Sequence, residues 1–224
     1  MDLYVAVIIS IVVSVLVLFS IAIKVIGMSE YLNYLLLSSG KKDFQRSFLE
    51  KYFSYYSKLN PEEKRLFIKR VNFFIINKKF SGREGFKITP EVKLLISATA
   101  IQVTFGLKHY LLPRFPVIFV YPDVYLNKIT GNYHKGEVNE HGLIVISWKY
   151  FLQGYKDVTD KLNVGIHEIA HALFLTIVRT DVHDLHLDEY LRSVVQLPAH
   201  ELERIRSNHL FRNYAENNKY EFFL

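Results

Sequence analysis

The chain has 224 residues, half of them hydrophobic, with 28 basic and 22 acidic side chains and no cysteine. The absent cysteines exclude disulfides and thiolate metal sites, and the apolar fraction excludes a disordered polar chain, since it is enough for one sizeable core. The net charge of +6 is scattered between carboxylates rather than gathered into a basic stripe, so nucleic acid is not an expected partner.

The first segment, Leu3 to Ile23, carries no charge and is mostly Ile, Val, Leu and Ala. Its 21 residues match, at helical rise, a hydrocarbon thickness of roughly 30 Å. Lys24-Val25-Ile26-Gly27 offers no signal-peptide cleavage pattern. The expectation is a retained transmembrane anchor over 1–26 that ties the protein to a membrane. Lys24, Lys41, Lys42 and Arg46 follow this segment, whereas Asp2 and the amino terminus precede it. That asymmetry predicts a single-pass protein, in a bacterial inner membrane, with its main domain on the cytoplasmic side.

Residues 27–42 read as a connector, with Gly27, Ser38, Ser39, Gly40 and two lysines. A helix is expected over Asp43 to Lys58. Asn60-Pro61-Glu62-Glu63 then predicts a helix start: Asn60 caps, Pro61 suits the first position and Glu63 the third. Phe67, Val71, Phe74 and Ile75 follow at helical spacing and should face the core. Thr89-Pro90-Glu91 marks a second start, and the apolar run Val92 to Phe105 predicts a buried helix ended by Gly106. Val117–Tyr121 and Leu143–Ser147 are branched, alternating runs bounded by Pro, Gly and Asn, and read as strands. The region between them, with Gly131, Asn132, Gly136 and Gly142, reads as loop. No internal repeat is visible. The pattern predicts one α+β domain over 43–224.

The chemistry concentrates in His167-Glu168-Ile169-Ala170-His171. A helix is expected from near Thr159 or Asp160 past Leu175. Two histidines four apart project from one helix face, one turn apart, and can reach the same zinc ion. Without thiolates, any metal has to be held by His, Asp or Glu, a donor set that suits zinc. Glu168 stands beside the first histidine and can take a proton from zinc-activated water without binding the metal. Val164, Ile166, Ile169, Ala170, Leu173 and Phe174 surround the motif. Burying two imidazoles and a carboxylate among them without partners is unfavourable, and a shared metal removes that difficulty. Phe174 and Ile177 stand where a metzincin needs Gly and His, which excludes that class. The third ligand is left open. Asp181, His183, Asp184, His186 and Asp188 cluster after the helix and read as a solvated loop, while Glu201, Glu203, Glu216 and Glu221 are later candidates.

The whole pattern resembles the zinc-dependent peptidases of the Mlc titration factor A family. The resemblance rests on Phe80-Ser81-Gly82 with Gly85-Phe86-Lys87-Ile88-Thr89, on Phe105-Gly106-Leu107, and on Phe115 to Pro122. Gly136-Glu137, Gly142, Ser147-Trp148 and Asn163-Val164-Gly165-Ile166 continue it, with Gly165 replacing the usual branched residue. Tyr214-Ala215 and Glu221-Phe222-Phe223 complete it, so that it covers roughly 45–224. It implies a zincin-like metallopeptidase domain with a small mixed sheet and an active-site helix, and one zinc ion per chain. It implies Glu221 as the third zinc ligand, beside His167 and His171. Tyr214 stands where a hydroxyl can stabilise the tetrahedral intermediate, or where a ring simply packs. The resemblance further implies Leu143–Trp148 as the edge strand along which a peptide substrate lies, aminopeptidase-like activity, and, in some bacteria, contact with the glucose-responsive repressor Mlc. The family's last helix continues beyond the point where this chain stops, three residues after Glu221, so the domain is expected to be C-terminally truncated. The competing reading is a membrane-tethered regulatory or binding protein on a peptidase fold with little or no catalysis.

Overall fold

The computed structural model describes residues 4–5, 8–18, 20–21, 39–128, 131–139, 141–156 and 163–179. Among them no helix is long and apolar enough to cross a membrane. The described helical stretch 8–18 extends about 16 Å at helical rise, roughly half the hydrocarbon thickness. The transmembrane helix expected over 1–26, and the single-pass membrane placement built on it, are corrected accordingly. An uncharged run reports hydropathy, and hydropathy alone does not set the length of a helix.

Helix α1 covers Ser39–Tyr52 and a single turn, α2, covers Ser54–Ser57. One continuous helix from Asp43 to Lys58 was the expectation. The break falls at Phe53, whose backbone leaves the helical region at φ −129°, ψ 89°. Its ring is thereby buried against Phe67 and Tyr155, at centroid distances of 6.2 and 5.4 Å. Helix α3, Pro61–Asn77, begins with the expected capping box. Asn60 Oδ1 accepts from the backbone N–H groups of Glu62 and Glu63, at 3.0 and 2.9 Å. The Glu63 carboxylate accepts in turn from Asn60 N–H at 2.9 Å, so donors that a helix start leaves unpaired are satisfied. Phe67, Val71 and Phe74 are buried as expected, and Ile75 is half-buried. Gln45 and Asn72 exchange two buried amide hydrogen bonds, at 2.9 and 3.0 Å, and join α1 to α3.

Strand β1 is Lys79–Gly82, and α4 is Pro90–Thr104 with Thr89 as its cap. Helix α4 is buried along nearly its whole length, as its composition predicts. It stops at Phe105, and Leu107 N–H bonds back to Thr104 O at 3.0 Å. Strands β2, Val117–Tyr121, and β6, Leu143–Ser147, fall where the branched runs place them. Between them the expected loop contains three short strands: β3, Tyr125–Leu126; β4, Tyr133–His134; and β5, Gly136–Asn139. Helices α5, Trp148–Lys156, and α6, Val164–Arg179, complete the described fold.

The main sheet has the order β1-β2-β6-β5, and β3 and β4 form a separate ribbon. β1, β2 and β6 run parallel, and β5 runs antiparallel to β6, so the sheet is mixed. The connection from β1 to its parallel neighbour passes through α4, as parallel pairing requires a crossover. This order corrects one expectation. β6 lies inside the sheet, paired on both sides, and the edge next to it is β5. The polar stretch Gly-Glu-Val-Asn has no strand-like composition, and its pairing with β6 is what makes it a strand. Helix α6 packs against β6, β5 and α4, and α4 packs on α3. The core between them is filled by Phe67, Phe74, Ile96, Ile101, Ile118, Ile144 and Ile169, among others.

Candidate metal centre

Helix α6 starts at Val164, later than the expected Thr159 or Asp160, because Asn163 caps it. Asn163 Oδ1 accepts from Ile166 N–H at 3.0 Å. Its amide also donates to Gly154 O at 3.2 Å, which ties the start of α6 to α5. Gly165 explains itself at this junction. A Cβ there would lie 2.5 and 2.6 Å from two ring carbons of Phe151. The Phe151 ring is stacked on Trp148 at 5.2 Å and is fully buried. A branched residue in place of Gly165 would push α5 and α6 apart.

This anchoring sets the direction of the next turn. Gly165, Glu168, Ile169, Ala172 and Thr176 face inward, while His167 and His171 are half-buried. The two imidazoles meet edge to face, with centroids 4.4 Å apart and planes at 86°. Their Nε2 atoms are 2.9 Å apart, as spacing four on one helix face predicts. Two nitrogens bound to one tetrahedral zinc at about 2.0–2.1 Å stand roughly 3.3 Å from each other. A small rotation of the rings opens the pair to that separation, so the two side chains fit a shared zinc ion.

Glu168 is buried, at 6% exposure. Its carboxylate lies against the backbone of Gly136 in β5, where a Cβ would come within 2.5 Å of Oε1 and 2.7 Å of Cγ. The edge strand therefore passes directly beside the carboxylate, and only glycine allows the approach. The next residue, Glu137, points to the other face of the strand. Its Oε2 accepts from Tyr125 O–H at 3.2 Å and from Asn127 Nδ2–H at 2.7 Å. Tyr125 is stacked on Tyr121 at 4.5 Å, and His134 across the ribbon stands 6.0 Å away. Burial raises the Tyr125 phenol above its ordinary pKa, and the nearby charges of Glu137 and Glu168 raise it further. Tyr125 is thus a permanent hydrogen-bond donor beside both carboxylates.

His167, Glu168 and His171 are brought together as the sequence predicts. Among the described residues no group of three or more His, Asp or Glu converges on a metal position. Glu221, Tyr214 and the candidates at Asp181, His183, Asp184, His186, Asp188, Glu201, Glu203 and Glu216 lie outside the described residues. Sequence reasoning did not assign roles to Tyr125, Asn127 and Glu137. The available signal was the pair Gly136-Glu137, which the family pattern marks without saying what it touches.

The comparisons with known proteins agree with this site. The family model described as glucose-regulated metallo-peptidase M90 matches residues 36–224. The chain is also similar to an uncharacterized protein of Synechocystis sp., with 28% identity over 131 residues, 53% of this chain and 48% of that protein. It thus spans about half the length of that curated relative.

Proposed function

This chain belongs to the glucose-regulated metallo-peptidase M90 family, a family whose name implies a metal, and from that premise we propose that it hydrolyses peptide bonds with one zinc ion held by His167, His171 and Glu221. The observation that carries the reading is the approach of the two imidazole Nε2 atoms to 2.9 Å, one residue from a carboxylate buried against the sheet edge. When bound, zinc would polarise the scissile carbonyl and bring the pKa of a water towards neutrality. Glu168 takes the proton of the attacking water and delivers it to the leaving amine. Packing on Gly136 restricts where that carboxylate can sit, so it is held ready for the proton rather than searching for it. β5 ends the sheet beside it among the described residues, and an extended peptide can pair with the outer backbone groups of such a strand.

The test is Glu168→Gln in the full chain. Hydrolysis of a peptide library should fall by on the order of 10²–10⁴-fold, the usual contribution of a general base, while zinc content stays near one per chain. A fully active Glu168→Gln protein removes the proposal. Glu221→Ala, measured by zinc content, tests the third ligand separately.

A further inference from the structure

Glu137 is a carboxylate fixed in place with only neutral partners. Tyr125 and Asn127 both donate to its Oε2. Among the described residues no ion pair includes it. The cations nearest in sequence are engaged elsewhere: Lys135 lies 4.5 Å over the Tyr150 ring, and Lys149 bonds Asp123 at 2.7 Å. Glu137 is half-buried, and a partly desolvated carboxylate without a cation is unfavourable. The cost is accepted here at one particular place. Gly136, its neighbour, touches Glu168, so Glu137 is the next position along the edge strand from the proposed base. Its second oxygen is left for a ligand. The two neutral donors orient the carboxylate without neutralising it, which suits a site whose cation arrives from outside.

We propose that Glu137 binds the α-ammonium group of the substrate, so that the bond presented to Glu168 is the one nearest the amino terminus. The inference rests on the hydrolase reading and adds its substrate class: peptides with a free amino terminus. Tyr125 and Asn127 act as positioning residues that hold the Glu137 carboxylate at the depth where one residue fits between ammonium and scissile carbonyl. An amino terminus blocked by acetylation has no charge to offer and leaves Glu137 buried against a methyl group.

The test uses two readouts on the full, zinc-loaded chain. Binding of L-phenylalaninamide and of its N-acetyl derivative is measured by calorimetry. Hydrolysis is measured on one peptide with its amino terminus free and acetylated. The expected result is a preference for the free amine of roughly 10- to 100-fold, the worth of a charge-assisted hydrogen bond, seen in binding and in KM. Glu137→Gln, which keeps shape and removes charge, should bring both ratios towards one. Tyr125→Phe should lower the preference in part. Equal binding of the two amides by the wild type, or a preference that survives Glu137→Gln, overturns the proposal. An absence of hydrolysis on either peptide, with the binding preference present and lost in Glu137→Gln, defeats the hydrolase reading and leaves the ammonium site standing.

Discussion

Gly136→Ala is the substitution that most directly probes how Glu168 is held. The added Cβ would lie 2.5 Å from Oε1, 2.7 Å from Cγ and 2.8 Å from Cδ of Glu168. Ordinary contact between such atoms is about 3.5 Å or more, so the overlap is roughly 0.7–1 Å at three atoms at once. Turning the carboxylate about its last bond does not relieve it, because Cγ is also in the way. The side chain has to swing from its base, or β5 has to leave its register with β6, where Gly136 stands opposite Ile146. Swinging moves the carboxylate by about 1 Å, and a misplacement of that size costs on the order of 10²-fold. Alanine in a strand otherwise favours folding over glycine by roughly 0.5–1 kcal/mol, so stability should change little. The expected variant keeps its zinc and its melting temperature and loses about 10²-fold in kcat. Zinc analysis, a thermal melt and steady-state kinetics on the same preparation check this. A Gly136→Ala protein with wild-type kcat would show that the carboxylate packed on β5 is not the proton acceptor.

Gly165→Ala should act on folding instead. Its Cβ would meet Phe151 at 2.5 Å, and that ring is held by Trp148. Overpacking of this kind costs about 1–3 kcal/mol, which lowers the melting temperature of a domain this size by roughly 3–10 °C; an unchanged melt would contradict the packing. Lys78 provides a pH test. Its ammonium is buried and donates to Leu112 O at 2.7 Å, and burial lowers its pKa from 10.5 to about 8. Between those values the unfolded chain holds the proton that the folded chain has released, so stability should rise as pH increases from 8 to 10.5. The full rise is about 3 kcal/mol at most, from 1.36 kcal/mol per unit. Denaturant titrations at pH 7.5 and 10 should show the rise in the wild type and its loss in Lys78→Met.

What could be read from the sequence was local. The histidine pair needs only the helical repeat to converge, and the Asn60 capping box needs only four consecutive residues. β2 and β6 announce themselves by their own branched side chains. The anchor expectation used the same local logic and went too far, because hydropathy was taken to set helix length. β5 could not be read in this way. Gly-Glu-Val-Asn becomes a strand only by pairing with β6, and that pairing moves the sheet edge one strand outward from where the resemblance put it. The consequence reaches the chemistry. With β6 at the edge, Glu137 would be a loop carboxylate of no particular use; with β5 there, it adjoins the residue that packs on Glu168. Gly165 carries the same lesson from the other side. Measured against the family pattern it is a departure, and the stacked Trp148 and Phe151 rings supply its reason. Both glycines stand where a second element comes too close for a side chain, one beside the proposed base and one beneath the helix that carries it. A glycine that breaks a helical or strand pattern near a metal motif is therefore best read as a contact with an element not yet located, and here locating those two elements defines the back wall and the edge of the site.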